Sequence, residues 1–209
     1  MIAIIDYGVG NIQNVKNAFN RLGVDCIVTS NPKIILSARG AVLPGVGAFK
    51  DAMQSLKDSG LDKIVLQRAY ANKPTLGICL GMQLMCEESY EDGQTKGLGI
   101  FKGKIEKLSI PFKVPHMGWN ELEDQKADEL LRGLEKPAYS YFVHSYYLTN
   151  HCEEDVLQVA DYGVKIPATL RKDNMFAMQF HPEKSGRTGE KLLENFIDIM
   201  NRETKETLS

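Results

Sequence analysis

A chain of 209 residues, 43% hydrophobic and 25% charged, is long and apolar enough to form one soluble domain (residues 1–209) with a sizeable core. Its net charge of −2 gives no electrostatic basis for binding nucleic acid or a membrane surface. No stretch approaches the roughly 20 apolar residues of a spanning helix, and Met1–Asp6 enters a strand pattern without a basic leader, so a cytoplasmic location is expected.

Ala3-Ile4-Ile5 reads as a short buried strand ending at Tyr7-Gly8-Val9-Gly10. A helix pattern follows, with Ile12, Val15, Phe19 and Leu22 at near-helical spacing, Asn11 near its N-cap and Gly23 as its stop. Cys26-Ile27-Val28 resumes extended structure, and Asn31-Pro32 opens a short helical piece. Ala41-Val42-Leu43 runs into Pro44-Gly45-Val46-Gly47, and helical patterns then cover about Phe49–Ser59 and Leu61–Ala71. Thr75–Ile78 is the next strand. Such β-α alternation predicts an α/β fold, a largely parallel sheet with helices on both faces. Between about Gly97 and Arg171 the segments Lys104–Leu108, Tyr139–Tyr147, Val156–Ala160 and Ala168–Arg171 alternate, broken by Gly, Pro and Asn. They predict an added region of antiparallel or mixed strands. A final helix carries Leu192, Leu193, Phe196, Ile197 and Met200 on one face, and Arg202–Ser209 reads as a frayed polar tail.

The cysteines, Cys26, Cys79, Cys86 and Cys152, form no C-x-x-C and do not group with the four histidines, so neither a disulfide framework nor a metal site is expected. Cys86, on the helix after Cys79, and Cys26 read as small core residues, and Cys152 lies in polar surroundings. Gly8-Val9-Gly10 fails as a dinucleotide fingerprint because the third glycine position is Gln13, and there is no P-loop, so no cofactor is expected.

Chemistry concentrates in Gly77-Ile78-Cys79-Leu80-Gly81, a strand-to-helix elbow with a thiol at its tip. The flanking glycines leave room for the two arms, and the Leu80 amide faces whatever binds beside the sulfur. His181-Pro182-Glu183 follows the strand-like Met175–Phe180 and supplies a base with a carboxylate to orient it. Pro182 favours extended backbone at His181, which would place Glu183 on the same side as the imidazole. The set is nucleophile, base and orienter. A free thiol of pKa about 8.5 is only a few per cent thiolate at neutral pH, and a neighbouring imidazolium can lower that pKa to roughly 3.5–7.5. Pro44-Gly45-Val46-Gly47 follows a parallel strand and belongs to the same sheet edge, where its backbone amides could complete an oxyanion hole with Leu80.

With Pro44-Gly45-Val46-Gly47, Gly77–Gln83 and His181-Pro182-Glu183 in this order, the chain resembles the class I glutamine amidotransferases. The resemblance implies a flavodoxin-like fold and a Cys79-His181-Glu183 triad that hydrolyses glutamine to glutamate and ammonia through a thioester. It implies oxyanion donors among Val46, Gly47 and Leu80, and substrate contacts from Gly45, Gly47, Gln83, Ser145 and Tyr146. Asp6–Asn11, Pro115–Asn120, Tyr141–Tyr146 and Glu183–Gly186 narrow it to the branch that feeds ammonia to a (β/α)8-barrel cyclase in histidine biosynthesis. In that branch Asn11, Asn14, Trp119 and Lys184 would face the cyclase in a heterodimer. Trp119 as a core residue, Asn11 and Asn14 as capping and surface residues, and Lys184 as a solvated charge are the alternatives. His116 and His144 read as structural residues or as supports behind the residues that touch substrate, and His151 as a surface residue. An amidotransferase serving an anthranilate, guanylate or pyridoxal phosphate pathway, and a non-catalytic binding subunit on the same fold, are the competing readings.

Overall fold

The computed structural model describes residues 1–206, with side chains through Arg202. β1 (Ile2–Ile5), α1 (Ile12–Arg21), β2 (Cys26–Thr29), α2 (Pro32–Ser37), β3 (Gly40–Leu43), α3 (Phe49–Asp58), α4 (Leu61–Tyr70) and β4 (Thr75–Ile78) alternate as the apolar runs predict. Then come α5 (Leu80–Leu84), β5 (Cys86–Ser89), β6 (Thr95–Lys96), β7 (Phe101–Lys107) and β8 (His116–Asp124). β9 (Ala138–His144), β10 (Tyr146–Thr149), β11 (Val156–Asp161), β12 (Lys165–Lys172), β13 (Met175–Met178) and α6 (Gly186–Glu206) complete the chain.

A nine-stranded sheet has the order β2-β1-β3-β4-β13-β12-β11-β8-β9. Its first five strands are parallel, in the doubly wound arrangement that opens ligand crevices at the carboxyl ends of strands. The other four join antiparallel. β13 lies beside β4 in parallel register, Met178 against Ile78, so the residues following both strands leave at one edge. A second sheet, β10-β7-β5-β6, is mixed.

Strand alternation divides the core into two layers. Ala3 and Ile5 of β1 pack with Ile35, Phe49, Leu56 and Val65 of α2–α4 and with Phe101 and Ile105 of the second sheet. Ile2 and Ile4 pack with Val15 and Phe19 of α1 and with Leu192, Leu193 and Phe196 of α6. The Asn31 carboxamide accepts the Lys33 and Ile34 amides at 3.0 and 3.4 Å, with Pro32 in the first turn, so α2 starts where its cap dictates. No helix among the described residues is long and apolar enough to cross a membrane.

Three expectations change. Cys86 is a fully buried core residue, but it opens β5 rather than riding a helix, because α5 ends at Leu84. The single segment Tyr139–Tyr147 is two strands in different sheets, parted at Ser145. The polar stretch from Arg202 continues α6 to Glu206, and the rest of the expected tail, 207–209, lies outside the described residues.

Candidate active site

Cys79 occupies the step between β4 and α5 with φ 53° and ψ −111°, a left-handed backbone that a side-chain-bearing residue adopts only under constraint. Its amide donates to the Met178 carbonyl of β13 at 2.8 Å, and its carbonyl accepts the Gln83 amide at 3.2 Å. The glycines on either side answer to close approach. A Cβ on Gly81 would collide with the Leu43 carbonyl oxygen, and one on Gly77 would lie 2.8 Å from Met85 Sδ. α5 spans only five residues, and neighbouring side chains define the surroundings of the sulfur.

The principal neighbour is His181. It leaves β13 in extended backbone, its amide bonded to the Tyr141 carbonyl at 3.0 Å, while the Ser185 hydroxyl donates to its carbonyl at 2.7 Å. Extended geometry does not continue through the motif, because Pro182–Lys184 turns into a short 3-10 helix. That turn brings the Glu183 carboxylate back to His181, where Oε1 accepts from Nδ1 at 2.8 Å with both side chains buried. Nδ1 is thereby committed as a donor, leaving Nε2 for the thiol. Burial disfavours the His181 cation, but hydrogen bonds with Cys79 and Glu183, together with their charges, outweigh it and hold its pKa up to about 9. The second Glu183 oxygen, Oε2, is buried with no hydrogen-bond partner.

The sulfur opens onto a cavity of about 440 Å3 whose walls include Val46, Gly47, Leu80, Gln83, Ser145 and Tyr146. Six residues expected from the sequence thus meet around Cys79 and His181. Gly45 does not line the cavity. It lies behind the elbow, where a Cβ would come 2.9 Å from Gly81 N, Leu80 Cβ and Tyr7 Oη, so a glycine lets the loop close on the elbow. Tyr7, itself buried, donates its hydroxyl to the Pro44 carbonyl at 2.8 Å and ties down the same loop. Gly47 adopts φ 98°, a conformation glycine takes without strain. Gln83 Nε2 donates to the Tyr146 carbonyl and to Gln179 Oε1, both at 3.0 Å, which leaves its amide oxygen with acceptor capacity at the cavity wall.

Four wall residues were not among the site residues expected from the sequence, the apolar Pro115 and Val143 and the polar Glu91 and His144. Glu91, in a polar turn twelve residues after the elbow, reaches the cavity with Oε2 accepting the Phe49 amide at 2.8 Å. Nothing in its local pattern distinguishes it from a loop carboxylate. His144 also lines the cavity, beside His181. Of the residues expected at a partner surface, Trp119 is 58% exposed and therefore not core, Lys184 is exposed and also lines the cavity, and Asn14 is exposed. Asn11 holds the N-cap position of α1 but makes no side-chain capping bond. His151 is half-buried and paired with Glu153 rather than fully on the surface.

The family model for glutamine amidotransferase class-I matches residues 3–200. The chain belongs to the class I glutamine amidotransferases. A relative from Caldanaerobacter subterraneus subsp. tengcongensis, the imidazole glycerol phosphate synthase subunit HisH, is 47% identical over 96% of this chain and 98% of its own length. A protein of the same description from Bacillus cereus is 46% identical over the full length of both. Among solved structures, a glutamine amidotransferase superposes with TM-score 0.75 at 20% identity, covering 96% of this chain and 98% of the other. PurLQS from Thermotoga maritima does so with TM-score 0.73 at 16% identity, covering 95% and 98%. At those identities the likeness is one of fold, and it supports the α/β architecture with its central sheet. Cys79, His181 and Glu183 therefore meet at the carboxyl edge of an amidotransferase sheet.

Proposed function

We propose that this chain, acting as one domain, is the glutaminase subunit of an imidazole glycerol phosphate synthase and passes ammonia to a cyclase subunit. The observation that carries the chemistry is the Cys79 thiol and the His181 imidazole on one cavity wall, with the buried Glu183 carboxylate bonded to His181 Nδ1. The assignment to that synthase rests on relatives of this description at 45–47% identity over nearly the whole chain.

Cys79 sulfur, its proton taken by His181, attacks the side-chain amide carbon of glutamine. The oxyanion that forms is held by backbone amides drawn from Val46, Gly47 and Leu80, where a single donor is typically worth about 2.7–4 kcal/mol in the transition state. His181 returns the proton to the departing nitrogen, ammonia leaves, and a thioester remains. Water, deprotonated by His181, then attacks the thioester and releases glutamate and the free thiol. Glu183 holds Nδ1–H and stabilises the imidazolium that faces the Cys79 thiolate. Glu91 suits the substrate ammonium by charge, and Gln83, Ser145 and Tyr146 suit its polar backbone end.

Ammonia set free in neutral water becomes non-nucleophilic ammonium, so direct delivery to an acceptor site is required. Asn11, Asn14, Trp119 and Lys184 are the proposed contact residues for a (β/α)8-barrel cyclase in a heterodimer; Trp119 and Lys184 are exposed, and Lys184 lines the cavity. Cys79→Ala tests the chemistry. Glutamine turnover should fall by about four orders of magnitude or more while the fold persists, and unchanged ammonia release would end the assignment. Turnover should rise on adding the cyclase with its nucleotide ligand, and equal rates with and without it would remove the coupling.

A further inference from the structure

Two histidines outside the triad form an ordered chain of hydrogen bonds that ends on the cavity wall. His116 of β8 and His144 of β9 are register partners, both buried, with His116 Nδ1 3.0 Å from His144 Nε2. The direction of that bond is fixed from both ends. His144 Nδ1 lies 2.9 Å from the Tyr146 carbonyl, which can only accept, so Nδ1 carries a proton. In neutral His144 the opposite nitrogen is then bare, and His116 Nδ1 must be its donor. His116 Nε2 is in turn bare and lies 3.3 Å from Asn120 Nδ2.

The Asn120 amide is oriented independently. Its nitrogen donates to the Asp161 carbonyl at 2.9 Å and its oxygen accepts the Glu121 amide at 2.8 Å. Donation therefore runs one way, from Asn120 through His116 and His144 to the Tyr146 carbonyl. Neutral rings are required throughout. Burial pushes His116 down to about 4, and burial with the nearby His116 and His181 pushes His144 to about 3. His116 is further fixed by stacking on Phe142 and Tyr162, with ring centroids 4.7 and 4.0 Å away. The Tyr146 carbonyl also receives Gln83 Nε2, so the chain ends on the peptide that shapes the Ser145–Tyr146 wall.

We infer that His116 is a positioning residue for glutamine: by donating to His144 Nε2 it fixes the tautomer whose Nδ1–H holds the Tyr146 carbonyl, and with it the Ser145–Tyr146 wall of the cavity. This role rests on the glutaminase reading above. Without His116 as donor, His144 can take the other tautomer and turn a lone pair toward the Tyr146 oxygen, which repels that segment from its place.

Nitrogen-15 correlation spectra of the histidine rings in the full-length wild-type protein at pH 7.5 test the chain without any substitution. His116 and His144 should both be neutral with the proton on Nδ1, and an Nε2–H tautomer at His144 overturns the inference. Kinetics supply the second arm. His116→Phe keeps a stacked ring without the donor, and His116→Asn restores an N–H near the Nδ1 position. His116→Phe should raise KM for glutamine about tenfold while kcat changes less than about threefold, and His116→Asn should recover most of that loss. Alkylation of Cys79 by iodoacetamide should proceed at the wild-type rate in both variants. An unchanged KM in His116→Phe, or equal losses of kcat and Cys79 reactivity in both variants, overturns the inference. A wild-type protein that releases no ammonia with or without the cyclase would refute the glutaminase reading instead, whatever the tautomers prove to be.

Discussion

Two buried polar clusters sit at opposite ends of β4, and they are built on opposite principles. At the amino end Arg68 is fully buried, yet it donates to the Ile35, Ala38 and Pro74 carbonyls and to the Thr75 hydroxyl at 2.7–3.0 Å. No carboxylate is paired with it among the described residues, and burial lowers its pKa to about 10. Four of its five N–H donors are engaged, so this end is close to saturated. At the carboxyl end Cys79 holds a positive φ, Glu183 Oε2 and Gln179 Nε2 are buried without partners, and the cavity lies open beside them. Saturation stabilises one end, whereas strain and unfilled bonding capacity mark the other as built for something besides stability.

The largest effect that would sharpen this contrast belongs to the carboxyl end. Glu183→Gln removes the anion facing His181 Nδ1 without removing bulk, and kcat for glutamine should fall by roughly 10²–10⁴-fold. Thermal unfolding should fall only by the share of the His181 stabilisation that the Glu183 anion supplies. A large fall in unfolding temperature with most of the turnover retained would make Glu183 a structural residue and erase the distinction. At the amino end the signs reverse. Arg68→Met leaves three carbonyls without this donor and should cost about 3 kcal/mol of stability in urea titrations, with turnover per folded molecule unchanged.

How much of this contrast was legible in the sequence differs between the two halves of the fold. The parallel half is punctuated by glycine and proline at strand ends, so β1, β3, β4 and the elbow could be read directly. The carboxyl-edge rule then gathered Cys79, Val46, Gly47 and His181 at one rim. The Tyr139–Tyr147 region gave no such signal. Buried residues alternate through Ser140, Phe142 and His144 and resume at Leu148, with no breaker at Ser145, so nothing local marks the passage from one sheet to the other. Only pairing reveals it, with His144 against His116 and Tyr146 against Lys107. That crossing puts Ser145 and Tyr146 on the cavity wall. Glu91, Arg68 and the His116–His144 contact were hidden for the same reason, because each acquires meaning only from partners distant in sequence.

Acid and alkali should pull the stability curve down for different histidines. His116 and His144 have folded pKa values of about 4 and 3, below their ordinary 6.5. The unfolded chain therefore binds protons that the folded one refuses. Their contribution is complete above pH 6.5 and is lost as pH falls toward 4 and 3, by at most about 1.4 kcal/mol per pH unit for each. His181, raised to about 9, does the reverse. Its contribution is complete below pH 6.5 and is lost as pH rises to 9. Urea midpoints should peak near pH 6.5, and His181→Gln should flatten the alkaline side while leaving the acid side in place. A variant that kept the full alkaline decline would detach it from His181.

The smallest effect tests whether the loop beside the elbow belongs to the working end or to the saturated one. Tyr7 is buried and its hydroxyl bonds the Pro44 carbonyl at 2.8 Å, one residue before Gly45 packs against Leu80 and Gly81 and two before Val46 enters the cavity wall. Burial, reinforced by the nearby Cys79, raises the Tyr7 pKa far above the ordinary phenol range, so the group stays a neutral donor at working pH. Tyr7→Phe preserves the packed ring and deletes one hydrogen bond, a loss of about 1 kcal/mol. If the bond serves to hold the Val46–Gly47 amides in place, turnover should drop several-fold while the urea midpoint moves only by that small amount. If turnover per folded molecule is untouched, the loop is anchored for stability alone, as Arg68 anchors the opposite end, and the boundary between the two regions must be drawn nearer to Cys79.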